Sequence, residues 1–155
     1  MSEAPARQRQ HAHRFLIVDD DPGDILMIEE ALANSREGRT LDVAGDGQEA
    51  LDFLRLSARN TGGLPDLILL DLNMPRLDGR EFLQVVKGTE QLRAIPVVVF
   101  TTSSSPTDVR ESYERYASAY VTKPVDLDGF TAAVRRIDEF YTQIVTTPLG
   151  RPLSL

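Results

Sequence analysis

The chain has 155 residues, a formal net charge of −7 and no cysteine. That length suits one domain whose core needs no staples, and the missing thiols exclude disulfides, thiolate metal sites and cysteine nucleophiles. The acidic balance argues against nucleic acid as a direct partner, because phosphate binding needs a basic face, and no apolar run approaches the ~18 residues of a membrane span.

Residues 1–14 are polar, with Pro5 and arginines at 7, 9 and 14. They are expected to be a disordered tail, with no apolar h-region of a signal peptide, and the His11/His13 pair is read as solvated tail. Phe15-Leu16-Ile17-Val18 then runs into Asp19, Asp20 and Asp21, predicting a strand over 15–19. Asp21-Pro22 reads as an N-cap followed by proline at the first helical position. Ile25, Ile28 and Leu32 carry that helix to about Arg36, and Gly38 ends it. Leu41 to Ala44 is a short second strand. Asp46-Gly47 turns into a helix with Ala50, Phe53 and Leu54 inward, and 60–65 is a loop. The third strand, 66–71, is another apolar run, and it ends on Asp71. A loop over 72–79 leads to a helix over 80–88 with Phe82, Val85 and Val86 inward. Pro96 starts a fourth strand, 97–101, and Pro106 opens a helix carrying Val109 and Tyr113. The fifth strand is 119–122. Asp126 caps a last helix to about Gln143, with Leu127, Phe130, Val134, Ile137 and Tyr141 as its core stripe. Phe140 falls about 90° off that stripe at ~100° per residue. Phe140 and Tyr141 are therefore candidate dimer contacts, and 144–155 is a candidate extended arm across a second copy.

Five successive βα units imply a doubly wound parallel sheet with right-handed crossovers. Strands 1, 3 and 4 are continuously apolar, as expected of strands covered on both faces. The fold class is α/β, flavodoxin-like (βα)5, with strand order 2-1-3-4-5 and ligands at the carboxyl ends of the strands. Asp19, Asp20, Asp71, Thr101 and Lys123 all fall at that edge. Each close carboxylate pair there costs about 1–4 kcal/mol in repulsion, depending on the effective dielectric. A hard divalent cation with oxygen ligands would relieve it. Asp21 is assigned to the helix cap rather than to the metal.

The segments Val18-Asp19-Asp20-Asp21-Pro22, Leu70-Asp71-Leu72-Asn73-Met74-Pro75 with Asp78-Gly79, Phe100-Thr101-Thr102 and Tyr120-Val121-Thr122-Lys123-Pro124 together resemble the receiver domain of two-component response regulators, over residues 15 to about 142. Having no attached output domain resembles the single-domain, chemotaxis-regulator-like branch. Pro22-Gly23-Asp24, the long 57–65 connection and Thr101-Thr102 are similar to regulators that partner bacterial phytochrome kinases. The resemblance implies that Asp71 accepts a phosphoryl group from a histidine kinase by nucleophilic attack. It implies Mg²⁺ held by Asp20, Asp71 and the backbone carbonyl of Asn73, with Asp19 bound through water. Thr101 and Lys123 would contact phosphoryl oxygens, and the peptide before Pro124 would be cis. Thr101 and Tyr120 would form a switch acting on the face of helix 4, strand 5 and helix 5. Pro22, Ile25 and Ile28 would dock the kinase, and a cytoplasmic homodimer is expected. The chain would be a phosphoacceptor that slowly loses its phosphoryl group, and not a dedicated enzyme.

Other readings carry less of the pattern. A receiver-like interaction module would not need the full acid, threonine and lysine set. A relay intermediate or phosphate sink would use the same site with a different output. A Mg²⁺-dependent aspartate-nucleophile phosphatase wants a second acid two residues past its nucleophile, where this chain has Asn73. A flavodoxin-like nucleotide or flavin binder wants a glycine-rich loop after strand 1, where this chain places acids.

Overall fold

A computed structural model describes residues 13–34, 38–60 and 63–145. Strands β1 (His13–Val18), β2 (Arg39–Ala44), β3 (Leu67–Leu70), β4 (Val97–Thr101) and β5 (Ala119–Thr122) alternate with helices α1 (Pro22–Ala33), α2 (Gly47–Ala58), α3 (Gly79–Gly88), α4 (Pro106–Glu114) and α5 (Leu127–Glu139). The strands form one parallel sheet in the order β2-β1-β3-β4-β5, as the alternation of elements predicts.

Side chains of successive strand residues point to opposite faces, and the core divides accordingly. Leu16, Val18, Ile68, Leu70, Val97 and Val99 pack with Leu54 of α2 and with Phe82 and Val86 of α3. Phe15, Ile17, Leu67, Leu69, Val98 and Phe100 pack with Ile28 and Leu32 of α1 and with Phe130, Val134 and Ile137 of α5. Burying each large aliphatic or aromatic side chain contributes about 1.5–3 kcal/mol. The predicted inward residue Phe53 is only half-buried, and Val85 likewise.

Each helix begins at the carboxyl edge of the sheet, and each is capped there by a side-chain oxygen. Asp21, Asp46, Asp78, Ser105 and Asp126 accept from backbone N–H groups of the first turns. Each cap contributes about 1 kcal/mol, so the βα loops are fixed where the site residues lie. Gly79 is also required there. A Cβ on it would lie 2.4 Å from the Asp71 carbonyl oxygen.

Several expectations are corrected. His13 and Arg14, expected in a 1–14 tail, instead pair with Arg39 and Thr40 in β1, and the rest of that expected tail lies outside the described residues. The Asp66 carboxylate accepts from the Arg14 N–H at 2.9 Å, so the ladder extends past the apolar run into polar positions. Helix α1 stops at Ala33, with Asn34 as its C-cap. The last helix leaves α-geometry at Glu139 and continues as a π-turn, Phe140–Ile144. Thr142 sits within that turn. Its hydroxyl bonds the Asp138 carbonyl at 2.8 Å and receives the Arg39 guanidinium at 3.2 Å. Threonine back-bonding of this kind bends helices. Leu127 is 60% exposed, because it sits in the first turn beyond the sheet edge, and the core stripe starts at Phe130. The Lys123–Pro124 peptide is trans, the isomer an X-Pro bond favours by about 0.5–1 kcal/mol. The arm expected over 144–155 lies outside the described residues except for Ile144 and Val145, and so does His11.

Candidate functional site

The site is built one residue past the strands. The Asp19 N–H donates to the Ala44 carbonyl, the Asp71 N–H to the Val18 carbonyl and the Lys123 N–H to the Thr101 carbonyl. The sheet ladder therefore continues into the site and sets the height of each side chain. Asp19, Asp71, Thr101 and Lys123 are buried, whereas Asp20 is exposed at the rim.

Asp19, Asp20 and Asp71 each offer a carboxylate oxygen, and these atoms lie within 4.8 Å of one another. All the donors are hard oxygens, and Asp71 and Asp19 are buried, so the set fits a divalent cation of the oxygen-seeking kind. It does not suit metals that prefer sulfur or imidazole. Asn73 stands exposed beside the group, and its N–H donates to Asp71 Oδ1 at 3.3 Å.

Two groups complete the surroundings of Asp71. The Thr101 hydroxyl donates to Asp71 Oδ1 at 2.8 Å. The Lys123 ammonium reaches Asp71 Oδ2 at 3.4 Å, Asp19 Oδ2 at 2.8 Å and Asp24 Oδ2 at 2.7 Å. The two partners of the Lys123–Asp19 pair respond differently. Burial raises the Asp19 carboxyl above its usual range even though Lys123 and the Asp21 N–H donate to it. At Lys123, burial alone would lower the ammonium, but the hydrogen bonds it donates to Asp19 and Asp24 outweigh that and raise it. One ammonium facing three carboxylates keeps its proton, so Asp19 is the member of the pair that yields first.

The sheet edge also carries a second network. Tyr120 is half-buried on β5, and its hydroxyl donates to the Ser103 carbonyl at 2.8 Å. Ser103 Oγ donates to Asp108 Oδ2 at 2.6 Å, and Arg80 of α3 binds the other oxygen of Asp108. The loop between β4 and α4 is thus tied to α3 on one side and to Tyr120 on the other.

The predicted residues Asp19, Asp20, Asp71, Thr101 and Lys123 are brought together. Asp21 caps α1, accepting from the Gly23 and Asp24 N–H groups. The predicted docking trio separates. Pro22 is exposed and Ile25 half-buried, but Ile28 is 1% exposed and faces the core. It therefore cannot meet a partner, because the 3.6-residue period turns it toward the sheet. Leu26, not singled out from the sequence, is exposed instead. Phe140 is 46% exposed and packs edge-on against half-buried Tyr141, with ring centroids 5.2 Å apart. Sequence reasoning also missed Asp24, Arg80 and Asp108. Asp24 had one visible signal, an acid in the first turn of α1, which reads as dipole compensation and not as a lysine partner.

The chain matches known proteins over most of its length. The family model for the response regulator receiver domain matches residues 15–135. The chain is similar to the response regulator Rcp1 of Synechocystis sp., 39% identical over 135 residues that make up 86% of this chain and 92% of that protein. The crystal structure of the phosphorylated cyanobacterial phytochrome response regulator RcpA is similar at a TM-score of 0.85 and 39% identity, covering 89% of this chain and 99% of that one. The Mn²⁺-bound form of Rcp1 is similar at a TM-score of 0.79 and 37% identity, over 88% and 99% of the two chains.

Proposed function

The chain belongs to the response regulator receiver family, and from that premise we propose that Asp71 is its phosphoacceptor, supplied by a histidine kinase. The observation that supports this is the surroundings of one carboxylate. Asp71 has the acidic pair beside it, the Thr101 hydroxyl on one oxygen and the Lys123 ammonium near the other. In the reaction an Asp71 oxygen attacks the phosphorus of a phosphohistidine. The P–N bond breaks, and the imidazole nitrogen leaves with the electron pair. Phosphoryl transfer depends mainly on positioning and on neutralising the equatorial oxygens. Lys123 gives a point charge suited to phosphate, and Thr101 gives one hydrogen bond. Mg²⁺, held by Asp20, Asp71 and the Asn73 carbonyl and by Asp19 through water, would supply the remaining positive charge at the phosphoryl oxygens.

Thr101 is also the start of the switch. Its hydroxyl leaves Asp71 for a phosphoryl oxygen, and the loop that follows carries Ser103, to which Tyr120 is bonded. That moves the α4–β5–α5 face, a bistable element of the usual kind. Phe140, in the π-turn that follows α5, is exposed, and a symmetric homodimer through it accounts for an aromatic without a core role. The cyanobacterial phytochrome regulator among the similar structures supports a phytochrome-type kinase as donor. A histidine kinase that draws its phosphoryl group from ATP would make this a cytoplasmic reaction. Slow hydrolysis of the acyl phosphate uses the same groups with water as nucleophile. On this reading the chain is a switch and not a dedicated enzyme.

The test is labelling with Mg²⁺ and phosphoramidate, read by intact mass. The wild type should gain one phosphoryl group, and Asp71→Asn or EDTA should abolish the gain. Equal labelling of wild type and Asp71→Asn, or none of the wild type, would overturn the assignment.

A further inference from the structure

The site contains one residue that the metal and the phosphoryl group do not require. Asp24 lies in the first turn of α1, outside the three-carboxylate group, yet it makes the shortest contact of the Lys123 ammonium, 2.7 Å. We infer that Asp24 is a positioning residue that aims Lys123 at the phosphoryl site on Asp71, an inference that rests on the proposed phosphoacceptor reading.

The inference follows from counting donors. A lysine ammonium has three N–H donors and no acceptor, and it sits on a flexible four-carbon stem. Asp19 takes one donor at 2.8 Å and Asp24 a second at 2.7 Å. The third points to Asp71 Oδ2 across 3.4 Å, a long and weak contact. That third donor is the one a phosphoryl oxygen can capture without breaking the other two. Asp19 alone leaves the ammonium free to rotate about a single bond. Asp24 approaches from a different element, α1, and so fixes the remaining direction. The Lys123 side chain is 3% exposed and that of Asp24 19% exposed, so water competes poorly for the bond on the lysine side.

Charge and position make opposite predictions, which makes the inference testable. If Asp24 acted only as a fourth negative charge, removing it would make a phosphoryl group more welcome. If it aims Lys123, removing it slows transfer. The experiment measures the rate of phosphorylation by phosphoramidate, followed by intact mass, in wild type, Asp24→Asn, Asp24→Ala, Lys123→Ala and the Lys123→Ala/Asp24→Ala double variant. Asp24→Ala should be about tenfold slower, well short of the ~100-fold that a 1 Å misplacement costs. Asp24→Asn keeps an acceptor oxygen and should recover most of that loss. In Lys123→Ala, adding Asp24→Ala should cost nothing further, because Asp24 acts through the lysine. The concentration of Mn²⁺ needed to reach half-maximal rate should shift less than twofold in Asp24→Ala.

Equal or faster labelling of Asp24→Ala overturns the inference. So does a further loss in the double variant, or a Mn²⁺ requirement that moves in step with the rate. Should Asp24→Ala lose its folded circular dichroism spectrum, Asp24→Leu, which removes the acceptor oxygens at similar size, decides the matter, and a rate equal to or above wild type in that variant overturns the inference. No labelling of the wild type overturns both the phosphoacceptor reading and this one. Labelling of wild type with an unchanged Asp24→Ala overturns this one alone.

Discussion

Replacing Asp20 by asparagine should stabilise the protein while removing its response to divalent cations. The three carboxylate oxygens of Asp19, Asp20 and Asp71 lie within 4.8 Å of one another. Two unit charges at that separation repel by roughly 3.5 kcal/mol at an effective dielectric of about 20. Lys123 bonds both Asp19 and Asp71, whereas Asp20 stands at the exposed rim. Asp20 therefore carries the least compensated charge and the most solvent screening. Discounted for that screening, relieving it is worth about 1 kcal/mol, or about 2–4 °C in Tm for a chain of this size. Mg²⁺ should reverse the order. A cation at a hundred times its Kd adds about 2.7 kcal/mol to a protein that binds it only when folded. The wild type should gain that increment and Asp20→Asn should gain little of it. Thermal melts followed by circular dichroism, in EDTA and in excess MgCl₂, test both halves. The reasoning fails if Asp20→Asn melts below wild type in EDTA, or if Mg²⁺ raises both proteins equally.

Gly79→Ala should cost at least about 2 kcal/mol, because its Cβ would meet backbone at Asp71 and Leu72 rather than a side chain that can move aside; an unchanged urea midpoint would contradict this. Asp108 gives a pH signature. Hydrogen bonds from the Arg80 guanidinium and the Ser103 hydroxyl hold its carboxyl below the usual value of 3.8. A depressed carboxylate stabilises above its unfolded pKa and loses that stabilisation as pH falls through the folded one. Asp108→Asn should therefore be less stable than wild type at pH 7, with a gap that narrows below about pH 4. A gap independent of pH in urea titrations would rule out this ion pair as the cause. The homodimer should appear by light scattering and be lost in Phe140→Asp. A wild type that stays monomeric with and without phosphorylation removes the dimer reading.

The fold was legible because its signals are local and repeated. Phe15 to Val18, Leu67 to Leu70 and Val97 to Phe100 are short and apolar at every position, the pattern of strands covered on both faces. The order of elements then leaves few topologies. The element ends were less legible because they rest on interactions between distant residues. His13 and Arg14 are polar, and nothing in their side chains announces pairing with Arg39 and Thr40. In the π-turn at Phe140–Ile144, Thr142 accepts a hydrogen bond from Arg39, about a hundred positions earlier.

The site divides in the same way. Asp19, Asp71, Thr101 and Lys123 were legible because each follows or ends a strand, and a parallel sheet brings all such positions to one edge. Residues that act from helices had no such constraint. Asp24 and Asp108 are both acids in first helical turns, where a negative charge is favourable whatever else is nearby. Each has a bland local reason to exist, and that reason hides its partner. What separates them from ordinary first-turn acids is a cation delivered from another element, Lys123 after β5 for Asp24 and Arg80 of α3 for Asp108. The two acids sit at the starts of different helices flanking Asp71. Asp24 bears on the Lys123 ammonium beside Asp71. Asp108 bears on the loop that follows the threonine. Neutralising one should alter how fast the site is filled, and neutralising the other how firmly the β4–α4 loop is held. That separation is expected because the two acids bind different cations, Lys123 and Arg80.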